Sequence, residues 1–233
     1  MAADAPPELD GHTEAPTNRW VSVDVGTKNL AYCVMDATPP HPIYEWNVIS
    51  LYDEPGGGSG PQHPTPKRST TERKVASKRS TTERKAGAQK GATKKMGLVE
   101  VGVQLKKWFD HLRMHERDRV RGVVIENQIA PIASNMKSIQ CMIAQYFITN
   151  GIPDVHFVSA SCKLKAFVKD NRRLSYKERK AFGVACCRDL LQKDSPQPGC
   201  ARSDWLAYLD AHKKKDDLAD AYMQGVAFFS QPK

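Results

Sequence analysis

Three apolar runs, each of strand length, follow one another closely: Arg19 to Val25, Asn29 to Met35 and Ile43 to Leu51. Gly26-Thr27-Lys28 separates the first two and reads as a tight hairpin turn, so these runs are expected to pair antiparallel. A chain that starts this way is confined to an α/β or mixed-sheet core. The first run also carries a carboxylate at its end, in Trp20-Val21-Ser22-Val23-Asp24-Val25.

Further along, the apolar period changes. Leu98, Val101, Leu105, Trp108, Phe109 and Leu112 recur at helical spacing, predicting an amphipathic helix from Gly97 to about Glu116. A strand from Val120 to Ile125 follows and delivers Glu126 at its end. Met136, Ile139, Ile143 and Phe147 mark a second helix, Asn135 to Thr149, and Val155 to Ser159 reads as a fifth strand. Helices are then expected at Ser175–Gln192, with Lys177, Arg179 and Lys180 on a basic face, at Ser203–Ala211 and at Asp216–Phe228. The order β-β-β-α-β-α-β-α-α predicts a mixed sheet flanked by helices.

Two segments stand outside this pattern. Residues 1–18 are acidic and proline-rich and read as a disordered tail, without the basic or apolar character of a targeting peptide. Residues 54–96 have no apolar period, open with a glycine-rich stretch and repeat Lys-Arg-Ser-Thr-Thr-Glu-Arg-Lys at Lys67–Lys74 and Lys78–Lys85. This composition predicts a basic disordered insertion within one domain spanning residues 19–230. The net charge of +9 is accounted for by Lys67–Lys95 alone, which holds eleven basic and two acidic residues and leaves 24 of each sign elsewhere. Net basicity, the usual first clue to a nucleic-acid partner, thus belongs to the insertion, as a solvated linker, a phosphate-binding arm or a nuclear localisation signal. No apolar stretch approaches membrane-span length. The six cysteines show no CxxC spacing, which favours reduced thiols in a cytosolic or nuclear protein over zinc ligands or disulfides. His111 and His115 are four apart on a helix, but no HExxH arrangement accompanies them.

The acids carry the chemistry. Asp24 and Glu126 each end an apolar strand-like run. Asp217 and Asp220 lie at i and i+3 on one helical face, amid the core-like Leu218, Ala219, Ala221 and Met223. Asp216 is rotated off that face, toward solvent or a neighbouring base. Burying like charges beside apolar groups costs several kcal/mol unless a cation compensates. Four hard carboxylate ligands and no thiol cage point to Mg²⁺, with Mn²⁺ as the alternative, and to phosphoryl chemistry.

The stretches Val23–Val34, Ile125–Gln140 and Lys215–Ala221 closely resemble the poxvirus-type Holliday junction resolvases. Those are relatives of bacterial RuvC and the fungal mitochondrial resolvases in the ribonuclease H-like superfamily. The resemblance covers roughly residues 19–52 and 97–230. It implies a ribonuclease H-like α/β fold, a mixed five-stranded sheet flanked by helices, with Asp24, Glu126, Asp217 and Asp220 as the metal-binding quartet. It also implies an active-site lysine within Ser161–Phe167, for which Lys165 is the first choice and Lys163 the second. The implied activity is Mg²⁺-dependent, structure-selective cleavage of four-way DNA junctions. A homodimer would match the two-fold symmetry of such a junction, with the Asn135–Thr149 stripe either contributing to the dimer face or packing as a core helix. The implied setting is the cytoplasm or nucleus of a eukaryotic cell hosting a large DNA virus.

Three other readings compete. The same acids would serve a ribonuclease H-like nuclease acting on flaps, RNA or transposon ends. A non-catalytic DNA-binding relative could rely on the insertion. An actin-like kinase would explain Asp24-Val25-Gly26-Thr27, but no second phosphate loop accompanies it.

Overall fold

The computed structural model describes residues 18–55, 96–116, 119–129, 133–161, 163, 167, 175–193 and 202–231, and the side chains among them except those of 202–204. The acidic tail, nearly all of the basic insertion with its repeat, and Lys165 lie outside the described residues.

Five strands form one mixed sheet in the order β3-β2-β1-β4-β5. They are β1 (Arg19–Val25), β2 (Asn29–Asp36), β3 (Ile43–Ser50), β4 (Gly122–Asn127) and β5 (Val155–Ser159). The first three pair antiparallel, as the short Gly26 turn requires, and β4 and β5 run parallel to β1. A side chain at Gly26 would place its Cβ 2.4 Å from the Asn29 carbonyl oxygen, so this tight turn admits only glycine without moving backbone.

Helices cover both faces: α1 (Leu98–His111), α2 (Ser134–Thr149), α3 (Tyr176–Lys193), α4 (Arg202–Ala211) and α5 (Lys215–Phe229). The mixed five-stranded sheet flanked by helices is therefore the fold expected for a ribonuclease H-like chain. Helix α1 ends earlier than its apolar period suggests, because Arg113 adopts φ 55°, a left-handed conformation that stops helical hydrogen bonding.

Strand alternation divides the core in two. Val21, Val23 and Val25 of β1 join Val123 and Ile125 of β4 in one apolar cluster with α1 and α2. Fully burying each such side chain contributes about 1.5–3 kcal/mol. The opposite face packs Ala31, Cys33, Met35 and Trp46 against Leu218, Ala219, Tyr222 and Val226 of α5. The α2 stripe finds its partner here. Ile139, Ile143 and Phe147 are buried against the sheet, so the surface proposed for dimerisation is a core face instead. Helical period reveals that a face is covered, not what covers it.

Candidate active site

The period-two alternation that sends Val23 and Ile125 to the α1/α2 side sends their successors, Asp24 and Glu126, to the α5 side. Val23 pairs with Ile125 across the parallel β1/β4 ladder, so both acids leave the sheet side by side at its carboxyl end. On α5, Leu218, Ala219, Ala221 and Met223 are buried, which turns the Asp217/Asp220 face toward the same place. All four acids line one open cleft of about 610 Å³. The structure thus brings the whole predicted quartet together.

A lysine stands among them. The Lys163 ammonium donates to Asp24 Oδ1 at 2.7 Å and lies 3.5 Å from Glu126 Oε1 and 3.6 Å from Asp220 Oδ2. Lys163 is only 4% exposed, and a buried ammonium without such partners would shed its proton. Burial depresses its proton affinity, but Asp24, Asp220 and Glu126 outweigh that and hold it charged, above the ordinary lysine range. Lys163, the second choice from sequence, occupies the site, and Lys165 is among the residues not described.

The acids respond unequally. Burial would raise Asp24, yet Lys163 and a hydrogen bond from Glu126 keep it below the ordinary carboxylate range. Glu126 is pushed up to about 8, first by burial and then by its bond to Asp24, against the pull of Lys163. Asp220 rises to about 6, mainly through burial. Asp217 is also raised, by burial and then by Asp216, with Lys214 3.7 Å away in partial compensation. A site that disfavours several of its own negative charges attracts cations.

Among the described residues no three acids, histidines or cysteines stand in an arrangement that could hold a metal ion as it is. The donor set nevertheless fits a hard divalent cation. Every candidate ligand is a carboxylate, and three of them already surround one positive centre, the Lys163 ammonium.

Several participants escaped sequence reasoning. Gln128 Nε2 donates to Glu126 Oε2 at 3.1 Å, so both oxygens of that carboxylate are engaged. The Gln128 backbone N–H is itself held by Oε1 of the fully buried Gln140, at 2.9 Å. Asp216 pairs with Lys180, the neighbouring base foreseen for it. Burial raises Asp216 but Lys180 outweighs it, so the carboxyl stays below its ordinary range. Lys180 lines the cleft together with Lys28, Arg179 and Tyr176, which makes its rim basic around an acidic floor. The basic face of α3 was legible; that it borders the acids was not. His111 and His115 take structural roles, His111 edge-on to the Trp108 ring and His115 beside the Tyr146 hydroxyl.

No family model matches the chain. It is 34% identical over 141 residues to an uncharacterized protein of Acanthamoeba polyphaga mimivirus, a match that covers 52% of the chain and 31% of that relative. The chain therefore spans about a third of the length of the curated relative it matches. Similar solved structures include the fowlpox virus resolvase in complex with Holliday junction DNA, at TM-score 0.49 and 13% identity, covering 91% of this chain and 96% of that one. RuvC of Thermus thermophilus gives TM-score 0.49 and 11% identity over 90% and 94% of the two chains. The yeast mitochondrial Holliday junction resolvase gives TM-score 0.44 and 16% identity over 92% and 80%.

Proposed function

We propose that this chain is a metal-dependent, structure-selective endonuclease that resolves four-way DNA junctions by hydrolysing a phosphodiester in each of two opposed strands. The observation that carries the reading is the meeting of Asp24, Glu126, Asp217 and Asp220 in one cleft, three of them around the Lys163 ammonium, under a basic rim. The choice of substrate rests on the three sequence stretches that resemble junction resolvases, and the mimivirus relative is in keeping with a large DNA virus as source.

Asp24, Glu126, Asp217 and Asp220 would hold Mg²⁺ or Mn²⁺, which supplies an activated water and charge stabilisation at the leaving oxygen. The chain's own residues do the rest. Lys28, Arg179 and Lys180 draw the phosphate backbone over the acidic floor and offset its charge. Lys163, fixed by Asp24, offers a positive group beside the reacting phosphate as negative charge builds there. Gln128 fixes the Glu126 carboxylate. Two such clefts, one in each protomer of a homodimer, would match the two-fold symmetry of the junction.

The test is cleavage by purified protein of a mobile four-way junction, a flap and a plain duplex of shared sequence, with and without Mg²⁺. Paired, symmetric nicks in the junction alone are expected, and only with the metal. Preference for the flap would keep the nuclease and discard the junction. Light scattering should give a dimer with junction bound; a strict monomer would remove the two-cleft arrangement.

A further inference from the structure

Gln224 is a polar side chain where helix α5 should be apolar. It is 2% exposed and lies on the face pressed against the sheet. Its Nε2 donates to three acceptors: Ser22 Oγ at 3.2 Å, the Val23 carbonyl at 3.1 Å and the Val124 carbonyl at 3.2 Å. Reversing the amide would set its oxygen against two carbonyl oxygens, so the orientation is fixed by its neighbours. Its own Oε1 finds no partner among the described residues. A buried amide on an otherwise apolar helix face calls for a reason beyond packing.

Its position supplies the reason. Gln224 stands four residues after Asp220 and seven after Asp217, on one helical face with both. Its acceptors lie on the two strands that carry the other acids: Val23 immediately precedes Asp24, and Val124 is two residues before Glu126. One amide therefore ties the helix-borne acids to the strand-borne acids. At the next residue α5 comes closest to the sheet, for a Cβ at Gly225 would meet Met35 Sδ at 2.3 Å and Ser22 Cβ at 3.3 Å. Apolar packing alone tolerates sliding of a helix along a sheet, whereas directed hydrogen bonds to carbonyls of two strands select one axial setting.

We propose that Gln224 is a positioning residue that sets the register of α5 against β1 and β4, and so sets where Asp217 and Asp220 stand relative to Asp24 and Glu126, the acids that would hold a divalent cation. This rests on the metal-site reading above and deepens it.

The experiment measures Mn²⁺ affinity of the full chain without DNA, by calorimetry, alongside its melting temperature. Gln224→Met keeps the volume and removes the donors. It is expected to weaken Mn²⁺ binding by about tenfold or more, the scale of losing a ligand-orienting partner. Leu105→Ala, in the opposite apolar cluster, provides a control that lowers the melting temperature and leaves Mn²⁺ affinity at the wild-type value. Gln224→Met binding Mn²⁺ like wild type overturns the proposal, as does an equal loss of affinity in Leu105→Ala. Should Gln224→Met fail to fold, Ser22→Ala removes one anchor and is expected to weaken binding by about fivefold, the equivalent of one hydrogen bond. Unchanged affinity in that variant is then the overturning result. If wild type itself binds no Mn²⁺, the metal-site reading falls and the proposal with it; if only the variants behave unexpectedly, that reading stands.

Discussion

Lys163 Nζ stands 2.7 Å from Asp24 Oδ1, although 139 residues separate the two in sequence. Both side chains are largely buried, so removing the ammonium strands carboxylates in a poorly solvated place. Lys163→Met should cost the metal-free protein about 3 kcal/mol or more. Added Mg²⁺ should recover much of that loss, because a cation again faces the acids. Thermal melts in chelator and in Mg²⁺ check this; a variant as stable as wild type in chelator contradicts it.

The acids themselves give the sharpest test of chemistry. Asp24→Asn and Asp217→Asn preserve shape and keep one acceptor oxygen while removing charge. Each should reduce metal-dependent junction cleavage by over a hundredfold, corresponding to about 3 kcal/mol of lost transition-state stabilisation. Junction affinity in a gel-shift assay should change little. Undiminished cleavage in both variants would mean that the reaction centre lies elsewhere.

Lys180, on the rim, is predicted to contact phosphate instead of a ligand set. Lys180→Ala should weaken binding of junction, flap and duplex to a similar extent. It should also reduce the slope of log affinity against log salt by about one. Asp216→Asn frees Lys180 from its carboxylate and should move affinity the other way. A Lys180→Ala effect confined to the junction would instead assign this lysine to branch recognition.

His212 supplies a second pH dependence, with Asp217 close enough to act on its imidazole. Burial holds its imidazole below the ordinary range, and Nδ1 accepts the Lys214 backbone N–H. Below about pH 6.5 the unfolded chain takes up a proton that the folded one resists, so this residue destabilises the fold as pH falls from about 7 to about 5. His212→Asn retains an acceptor and does not titrate. Its melting temperature should fall less than wild type over that interval; parallel curves would show that His212 does not couple folding to protons.

How much of this could be read beforehand depends on the range of each signal. Asp24 and Glu126 were legible because each ends an apolar run, and strand alternation then fixes which face they take. Asp217 and Asp220 were legible because their helix is apolar around them. Lys165 was set ahead of Lys163 with no local signal to decide between them, since they lie two apart in a stretch with no clear period, and it is tertiary folding that brings Lys163 to the acids. Gln128 and Gln140 act through contacts between a strand end and a helix that no local pattern encodes. The α2 stripe was read correctly as apolar and left between two neighbours, core and second protomer, because a covered helix face looks the same whichever covers it.

Where the basic segment leaves and rejoins the domain, the two ends are fastened together. Glu54 meets Lys107 at 2.9 Å and Gln104 at 2.9 Å, and the Trp108 indole N–H reaches the carbonyls of Ser50 and Asp53, both at 3.0 Å. The points where the segment leaves and rejoins are thus held near one another, and doubling the length of chain between two such points costs only about 0.6 kcal/mol. That makes it a permissive site for evolutionary experiment. An eleven-residue unit can be copied there, as the tandem repeat suggests, and replaced or tagged by an engineer without asking the folded body to rearrange around the change.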